Sequence, residues 1–210
     1  MLIEGKVGPV LAADQTQNEI RQSKDSSVVV MDAHGRYQEA VYRGAAWSAS
    51  NQAGQILTAL ATLMTGYVLY NPVNSGKNLV LWNVDVGVTA VVGTATIATI
   101  CLAGAMGGNV AAPTGTTSLA PTNMVLNTNV HPTANVYSTA TFAGVTPTII
   151  KPLMNVQIGT AAANLYATPC GVELGGAILI PPGAYVAVTQ SPSTTLLTCL
   201  ISMTWEEIPV

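Results

Sequence analysis

The last 35 residues of the chain carry the pattern that most constrains its fold. Turn signals at Pro181-Pro182-Gly183 and Ser191-Pro192-Ser193 separate three apolar runs rich in β-branched residues. Proline restricts φ and glycine accepts positive φ, so both segments interrupt a strand. From Leu197 to Trp205 apolar and polar residues largely alternate, which is typical of a strand with one buried face. We therefore predict that the chain closes with strands of an antiparallel β-sandwich, at Ala177–Ile180, Tyr185–Thr189 and Leu196–Trp205.

Earlier segments extend this all-β prediction. The apolar runs predict further strands at Gly66–Tyr70, Leu79–Val86, Val88–Val92, Thr94–Ala103, Leu153–Ile158 and Leu165–Cys170. The turn residues Asn74–Asn78 predict that the first two of these form a hairpin. Between Trp47 and Met64 the apolar spacing fits either a short helix or a strand. Glycine and proline in region 104–148 predict long loops, with short strands near Met124–Leu126 and Val136–Phe142.

Charge divides the chain into two parts. Eleven of the seventeen charged residues lie in the first 43 positions, and the other six lie among the remaining 167. The N-terminal part cannot bury much apolar surface by itself, so we predict an extended arm, residues 1–46. Within this arm, Ser27–Met31 and Tyr37–Tyr42 are predicted to form a short hairpin. Residues 47–210 are predicted to form the sandwich, which carries the long loops of 104–148.

The overall composition limits the possible partners. Only 8% of the residues are charged, so we expect the chain to cover neutral surface by binding copies of itself or another protein. A net charge of −3 gives no attraction for nucleic acid. No signal peptide is expected at the N-terminus. The uncharged stretch Val86–Met106 is long enough for a membrane helix, but its Gly and Thr content favours two buried strands. Cys101, Cys170 and Cys199 are expected to be buried free thiols.

No catalytic or metal-binding constellation emerges from the residues, and we expect neither an enzyme nor a cofactor. His34 and His131 lack a third ligand at metal-binding spacing. Ser75-Gly76-Lys77-Asn78 favours a hairpin turn over a phosphate-binding loop. Adjacent Glu206 and Glu207 should point to opposite faces of a strand, which favours a role in solubilising the chain end or pairing with a neighbour's arm.

Two further clusters leave alternatives open. Asp32, His34 and Arg36 form either a salt-bridging contact to another subunit or a solvated turn. Tyr67, Tyr70 and Trp82 flank the predicted hairpin turn. They could form a sugar-stacking platform, although core packing explains them more simply.

Several segments resemble virion structural proteins of tailed bacteriophages. These segments are Met1-Leu2-Ile3-Glu4-Gly5-Lys6-Val7-Gly8-Pro9, residues 32–40 with Arg43-Gly44, residues 70–81, Pro181-Pro182-Gly183 and Trp205-Glu206-Glu207-Ile208-Pro209. The chain is similar to capsid decoration (cement) proteins, and this resemblance implies a jelly-roll-like domain, a homotrimer and a terminal arm that clamps the shell. It also implies that the partner is the major capsid protein, that the chain lies on the capsid surface of the virion, and that no enzymatic residue is carried over.

The function expected from these features is stabilisation of an icosahedral phage shell. The candidate capsid-binding residues of the arm are Lys6, Arg21, Lys24, Asp32, His34, Arg36 and Arg43. The alternative is a tail-fibre or receptor-binding module that recognises a host surface glycan through the 104–148 loops or the Tyr67, Tyr70 and Trp82 cluster.

Overall fold

The computed structural model describes residues 35–60, 64–92, 97–105, 110–126, 130–142, 147–158, 165–166, 170–191 and 196–210. The chain divides into two compact units, Met1–Glu39 and Ala40–Val210. Only residues 35–39 of the first unit are described, so most of the predicted arm, including its Ser27–Met31 strand, lies outside the described residues.

One short helix and fourteen strands make up the regular structure of the described residues. In chain order these elements are α1 Gln38–Tyr42, β1 Ala46–Ser50, β2 Gln55–Ile56, β3 Met64–Thr65, β4 Tyr67–Asn71, β5 Lys77–Val92, β6 Ile97–Ala105, β7 Thr114–Leu119, β8 Thr122–Asn123, β9 Asn135–Phe142, β10 Thr148–Ile158, β11 Leu165–Tyr166, β12 Cys170–Ile180, β13 Ala184–Gln190 and β14 Leu196–Pro209.

The strands form two antiparallel sheets that pack face to face, which confirms the predicted all-β sandwich. The six-stranded sheet has the order β12-β5-β14-β1-β8, and β2 also pairs with β14. The eight-stranded sheet has the order β11-β10-β6-β13-β4-β9-β3, and β7 pairs with β9. Residues from both sheets contribute to one large buried cluster, which includes Leu69 and Val186 from the eight-stranded sheet and Leu81 and Met203 from the six-stranded sheet.

Strand β14 shows why the closing sequence folds as predicted. Its alternate apolar residues, Leu197, Cys199, Ile201, Met203 and Trp205, are all buried in the core between the sheets. Full burial of a large apolar side chain stabilises the fold by about 1.5–3 kcal/mol. The turn before β13 also matches the prediction, because Gly183 has φ 77° and the Ala184 N–H donates to the Pro181 carbonyl.

The eight-stranded sheet is buried on both faces along β4. Tyr67 and Leu69 lie in the core between the sheets, whereas Val68 and Tyr70 lie in a second apolar cluster. Successive strand residues point to opposite faces, so this second cluster covers the outer face of the sheet. There the rings of Phe142 and Tyr185 stack with centroids 4.0 Å apart. A strand buried on both sides needs no polar alternation, which explains the continuous apolar run of β4.

The predicted hairpin between Gly66–Tyr70 and Leu79–Val86 is wrong. Both strands exist as β4 and β5, but they belong to different sheets. Strand β4 already pairs with β13 on one edge and β9 on the other, so β5 has no free edge of β4 to join. A turn does form, at Pro72–Ser75, where the Ser75 N–H donates to the Pro72 carbonyl, but Lys77 and Asn78 already belong to β5. The turn carries the chain from one sheet to the other.

Two other local predictions need correction. Residues 38–42, predicted as a strand within Tyr37–Tyr42, form helix α1, and the Gln38 side chain closes its start by accepting a hydrogen bond from the Gly35 N–H. Region 104–148 contains three strands, β7, β8 and β9, in addition to loops. Of its two predicted strands, Val136–Phe142 is confirmed within β9, whereas Met124–Leu126 is a turn. Strand β7 is almost wholly exposed, so its sequence lacks the apolar alternation that marks a half-buried strand.

Other sequence interpretations are settled by the described residues. The segment between Trp47 and Met64 contains strands rather than a helix. The stretch Val86–Met106 contributes to β5 and β6, which lie in different sheets, as two strands rather than one span. Among the residues that the structure describes, no helix is long and apolar enough to cross a membrane.

We predict that Asn51→Ala lowers the free energy of unfolding by about 2–5 kcal/mol. The buried Asn51 amide donates to the Cys199 carbonyl at 2.9 Å, and its oxygen accepts from the Ile201 N–H. Alanine would remove both bonds and leave two buried backbone groups without partners. Denaturant unfolding measures the change, and Gln52→Ala at the exposed neighbouring residue should stay within about 0.5 kcal/mol of the wild type. Equal stability of the two variants would contradict the assignment.

Candidate functional site

The structure describes only two of the seven candidate arm residues. Lys6, Arg21, Lys24, Asp32 and His34 lie outside the described residues. The exposed Arg36 guanidinium lies 5.2 Å from the centroid of the Tyr37 ring, which is a cation–π distance. Arg43 is exposed immediately after helix α1. The capsid-binding role of these seven residues stays a prediction.

The three aromatic side chains of the possible sugar-stacking platform are buried, which confirms the favoured core-packing interpretation. Tyr67, Tyr70 and Trp82 are 0, 4 and 6% exposed. The Tyr67 hydroxyl donates to the Ala49 carbonyl at 2.8 Å, and the Tyr70 hydroxyl donates to the Val110 carbonyl at 3.3 Å. Core packing with satisfied hydroxyl groups therefore explains these residues.

Glu207 is also buried, which corrects its predicted role at a solvated chain end. Its Oε1 accepts hydrogen bonds from the backbone N–H groups of Thr133 at 2.8 Å and Ala134 at 2.9 Å. Its Oε2 accepts from the Thr133 hydroxyl at 2.9 Å and from Lys77 Nζ at 3.0 Å. Glu206 is only half-buried, so the two carboxylates point to opposite faces as predicted. Glu207 fixes the 133–134 segment and the start of β5 to the end of β14.

The electrostatics of this contact favour the ionised carboxylate. Burial raises the pKa of Glu207, but the N–H groups of Ala134 and Thr133, the Lys77 ammonium and the Thr133 hydroxyl more than offset that effect. The pKa therefore lies below its ordinary value. Lys77 is 37% exposed, so solvent weakens the ion pair and the buried N–H donors provide most of the stabilisation.

Among the described residues, the other candidates do not come together in an arrangement typical of a catalytic site. The Ser75–Asn78 segment leads from the Pro72–Ser75 turn into β5, and its lysine is the partner of Glu207. His131 is exposed, in agreement with a surface loop. All three cysteines are free thiols. Cys101 and Cys199 are buried and Cys170 is half-buried. Burial raises the pKa of the Cys199 thiol to about 12, so this group stays protonated near neutral pH. Within the described ranges no group of three or more metal-ligating side chains occurs.

The edge strands of the two sheets meet on one side of the sandwich, which we call the open side. Strand β12 ends the six-stranded sheet, and β10 borders the edge of the eight-stranded sheet, where the described residues of β11 pair with Gln157 and Ile158. The two strands are neighbours, because the Cys170 thiol donates to the Leu153 carbonyl at 3.4 Å. Apolar side chains are exposed here: Ile149 is 42%, Ile150 is 46% and Leu179 is 50% exposed.

A groove of about 440 Å³ lies between these edge strands. Ile150 lines one wall, and residues 177–181 line the other. Gly104 provides the room for Ile150, since a Cβ at this glycine would lie 2.8 Å from Ile150 Cδ1 and 3.2 Å from the Tyr185 carbonyl oxygen. The exposed isoleucine is therefore seated on the sheet, so the groove is formed before any partner binds.

Both edges of the open side carry features that prevent simple strand addition. Strand β10 contains Pro152, which has no N–H to donate, and irregular register on both sides of Lys151-Pro152. Strand β12 is interrupted between Glu173 and Ile178, where Gly175 and Gly176 have φ 58° and 85°. Bulges, proline and lysine protect sheet edges against uncontrolled pairing. Contacts on this side are therefore favoured through side chains and the groove rather than through an added strand.

Sequence reasoning missed the Glu207 contact and the open side for the same reason, because both depend on residues that are far apart in the chain. Lys77 and Glu207 are 130 residues apart, and no local spacing links them. Strand Leu153–Ile158 was predicted, but its position at a sheet edge depends on the pairing of distant strands.

No family model matches the chain, and neither curated proteins nor solved structures give a significant match.

We predict that Glu207→Gln destabilises the protein by about 2–4 kcal/mol at neutral pH, because it removes a carboxylate held by charge-assisted hydrogen bonds. The folded pKa is lowered, so this stabilisation is complete above the unfolded pKa of about 4.3 and is lost as the pH falls through the folded pKa. Unfolding curves recorded between neutral and acidic pH should therefore show the stability difference between wild type and variant begin to shrink below about pH 4.3 and vanish only below the folded pKa.

Glu206→Gln is the matched control, since Glu206 is the half-buried neighbour on the same strand. We expect it to stay within about 0.5 kcal/mol of the wild type at neutral pH. A difference between wild type and Glu207→Gln that does not change with pH would contradict the electrostatic explanation.

Proposed function

We propose that this chain is a multi-copy structural protein of a particle surface, a decoration or cement protein that stabilises the icosahedral shell of a tailed bacteriophage. The observation that carries the proposal is the open side, where exposed Ile149, Ile150 and Leu179 border a preformed groove between two sheet edges. A soluble chain that exposes such a surface gains free energy when another protein covers it.

The occupant that we propose for the open side is another copy of the chain. Its two edge strands carry one charged residue each, Lys151 on β10 and Glu173 on β12. In a cyclic trimer, β10 of one copy meets β12 of the next, so that each contact places one lysine near one glutamate of the neighbour. Apolar side chains flanked by one lysine and one glutamate suit a specific contact between identical subunits.

Attachment to the shell is assigned to the N-terminal arm. Residues 1–46 hold eleven of the seventeen charged residues of the chain, whereas the sandwich holds six. In this proposal Lys6, Arg21, Lys24, Asp32, His34, Arg36 and Arg43 bind the major capsid protein. Three arms on one trimer bind together, so each arm contact can be weak while the assembly remains bound.

The self-association surface is tested by Leu179→Glu. We expect the wild type to sediment as a trimer and the variant as a monomer, because the substitution buries an unpaired carboxylate in the groove contact. Leu126→Glu is the matched control, since Leu126 is an exposed leucine shortly after β8, which ends the six-stranded sheet on the side opposite β12. This control should remain a trimer. A monomeric wild type, or an unchanged mass of the Leu179 variant, would overturn the proposed surface.

The arm assignment is tested by deleting residues 1–25. The truncated protein should keep its oligomeric mass but no longer bind preformed capsids in a co-sedimentation experiment. Binding equal to that of the full chain would refute the arm assignment. Copy number per virion separates shell from tail, because hundreds of copies indicate a shell component and a few to tens indicate a tail component.

A further inference from the structure

A second cavity lies on the side of the sandwich opposite the open side. It has a volume of about 540 Å³ and is lined by the loop that leads into β2, together with Leu119 of β7 and residues of β9. These strands stand at the other ends of the two sheet orders from β10 and β12. The volume lies in the range of about 300–1,000 Å³ that is common for small-molecule sites. We call this cavity the amide cleft.

Most of the exposed lining surface is apolar, and the polar side chains among the described lining residues are uncharged. Its polar side chains are three amides and three hydroxyl residues: Asn51, Gln52, Gln55, Thr58, Ser138 and Thr139. Among the described residues that line it, none is acidic, basic or aromatic. Asn51 is bonded to the β14 backbone, so the amides that face a ligand are Gln52 and Gln55, which can both donate and accept. The hydroxyl groups of Ser138 and Thr139 donate to β7 and keep lone pairs that can accept from a ligand hydroxyl group.

An apolar surface lies beside these polar groups. Ile56 is 51% exposed, and Leu119 is half-buried on the opposite wall. A ligand that fits both kinds of lining has an apolar face and a rim of hydroxyl groups. A pyranose ring has this arrangement, since its C–H groups form the face and its hydroxyl groups form the rim.

The loop wall of the cleft is fixed before any ligand arrives. Both polar atoms of the Asn51 side chain bind the β14 backbone at Cys199 and Ile201. Gly54 lies directly on the six-stranded sheet, where an added Cβ would be 2.7 Å from side-chain atoms of Thr89 and Thr198. A preformed wall reduces the entropy lost on binding.

One polar atom of the lining also lacks a partner. Gln55 Oε1 is buried and accepts no hydrogen bond within the described part of the chain. Gln55 is only half-buried as a residue and lines the cleft, so a ligand hydroxyl group that reached this oxygen would satisfy it.

We infer that the amide cleft binds a neutral saccharide. This inference does not depend on the proposed shell function, because the cleft and the open side lie on opposite sides of the sandwich. It relocates glycan recognition from the buried Tyr67, Tyr70 and Trp82 to a cleft that is partly built from region 104–148. On a particle that displays many copies, weak binding by each cleft would add up by avidity.

Saturation-transfer NMR on the full chain tests the inference, with glucose, galactose and N-acetylglucosamine as separate probes. Each sugar is used at about 10 mM, because a shallow cleft is expected to bind with a Kd of about 1 mM. We expect transfer to at least one sugar. We expect at least tenfold less transfer to glucuronate, since the described lining residues offer no countercharge. We also expect less transfer to hexanol than to the sugar that binds, since one hydroxyl group leaves most polar groups of the lining unsatisfied.

Ala53→Trp is the blocking variant, because Ala53 is an exposed cleft residue and the indole would fill the space. It should abolish transfer without changing the Tm, and Gln52→Ala should weaken it a few-fold. Thr116→Trp on exposed β7, outside the cleft, should leave transfer unchanged. Three outcomes would each overturn the inference. They are no transfer to any of the three sugars, equal transfer in Ala53→Trp and the wild type, and stronger transfer to hexanol than to the sugars.

Discussion

The antiparallel pairing of β5 with β14 is the interaction on which the rest of the sandwich depends. The ladder runs from Leu196 opposite Val92 to Pro209 opposite Lys77. The other edge of β14 holds β1 and β2, and the other edge of β5 holds β12, so this pair organises the whole six-stranded sheet. Its register is fixed by burial, because a slip of one residue would turn Met203 and Trp205 toward solvent.

Sequence patterns predicted the parts of the fold that are decided locally. The alternation in β14 and the Pro181–Gly183 turn depend on residues next to each other, and both were identified. Which strands pair with one another is not decided by neighbouring residues. The Pro72–Ser75 turn looks like a hairpin turn, yet it connects two sheets because the edges of β4 are occupied by β9 and β13. The same limit applies to the open side, whose strands were partly predicted but whose edges were not.

Buried polar side chains are the second class of feature that sequence could not reveal. The Asn71 amide donates to the Lys77 and Ile180 carbonyls, which ties the β4–β5 crossing to the end of β12. Asn51 and Glu207 act in the same way on the loop before β2 and on residues 133–134. Some of these bonds span more than 100 residues of sequence. Each one fixes a connection whose own sequence offers little apolar surface to bury.

The open side combines exposed apolar side chains with edges that resist strand addition, and the combination has a physical consequence. An unprotected edge could add copies without limit, because each new strand would present another free edge. Pro152 and the irregular registers of β10 and β12 block that route. A neighbouring subunit can still bury the exposed apolar surface of Ile150, Leu179 and the groove. Contacts made through side chains depend on one fixed orientation of the two subunits. In the proposed assembly such contacts suit a closed ring of a few copies, and a shell can accept a closed ring as a unit without being joined into a fibre.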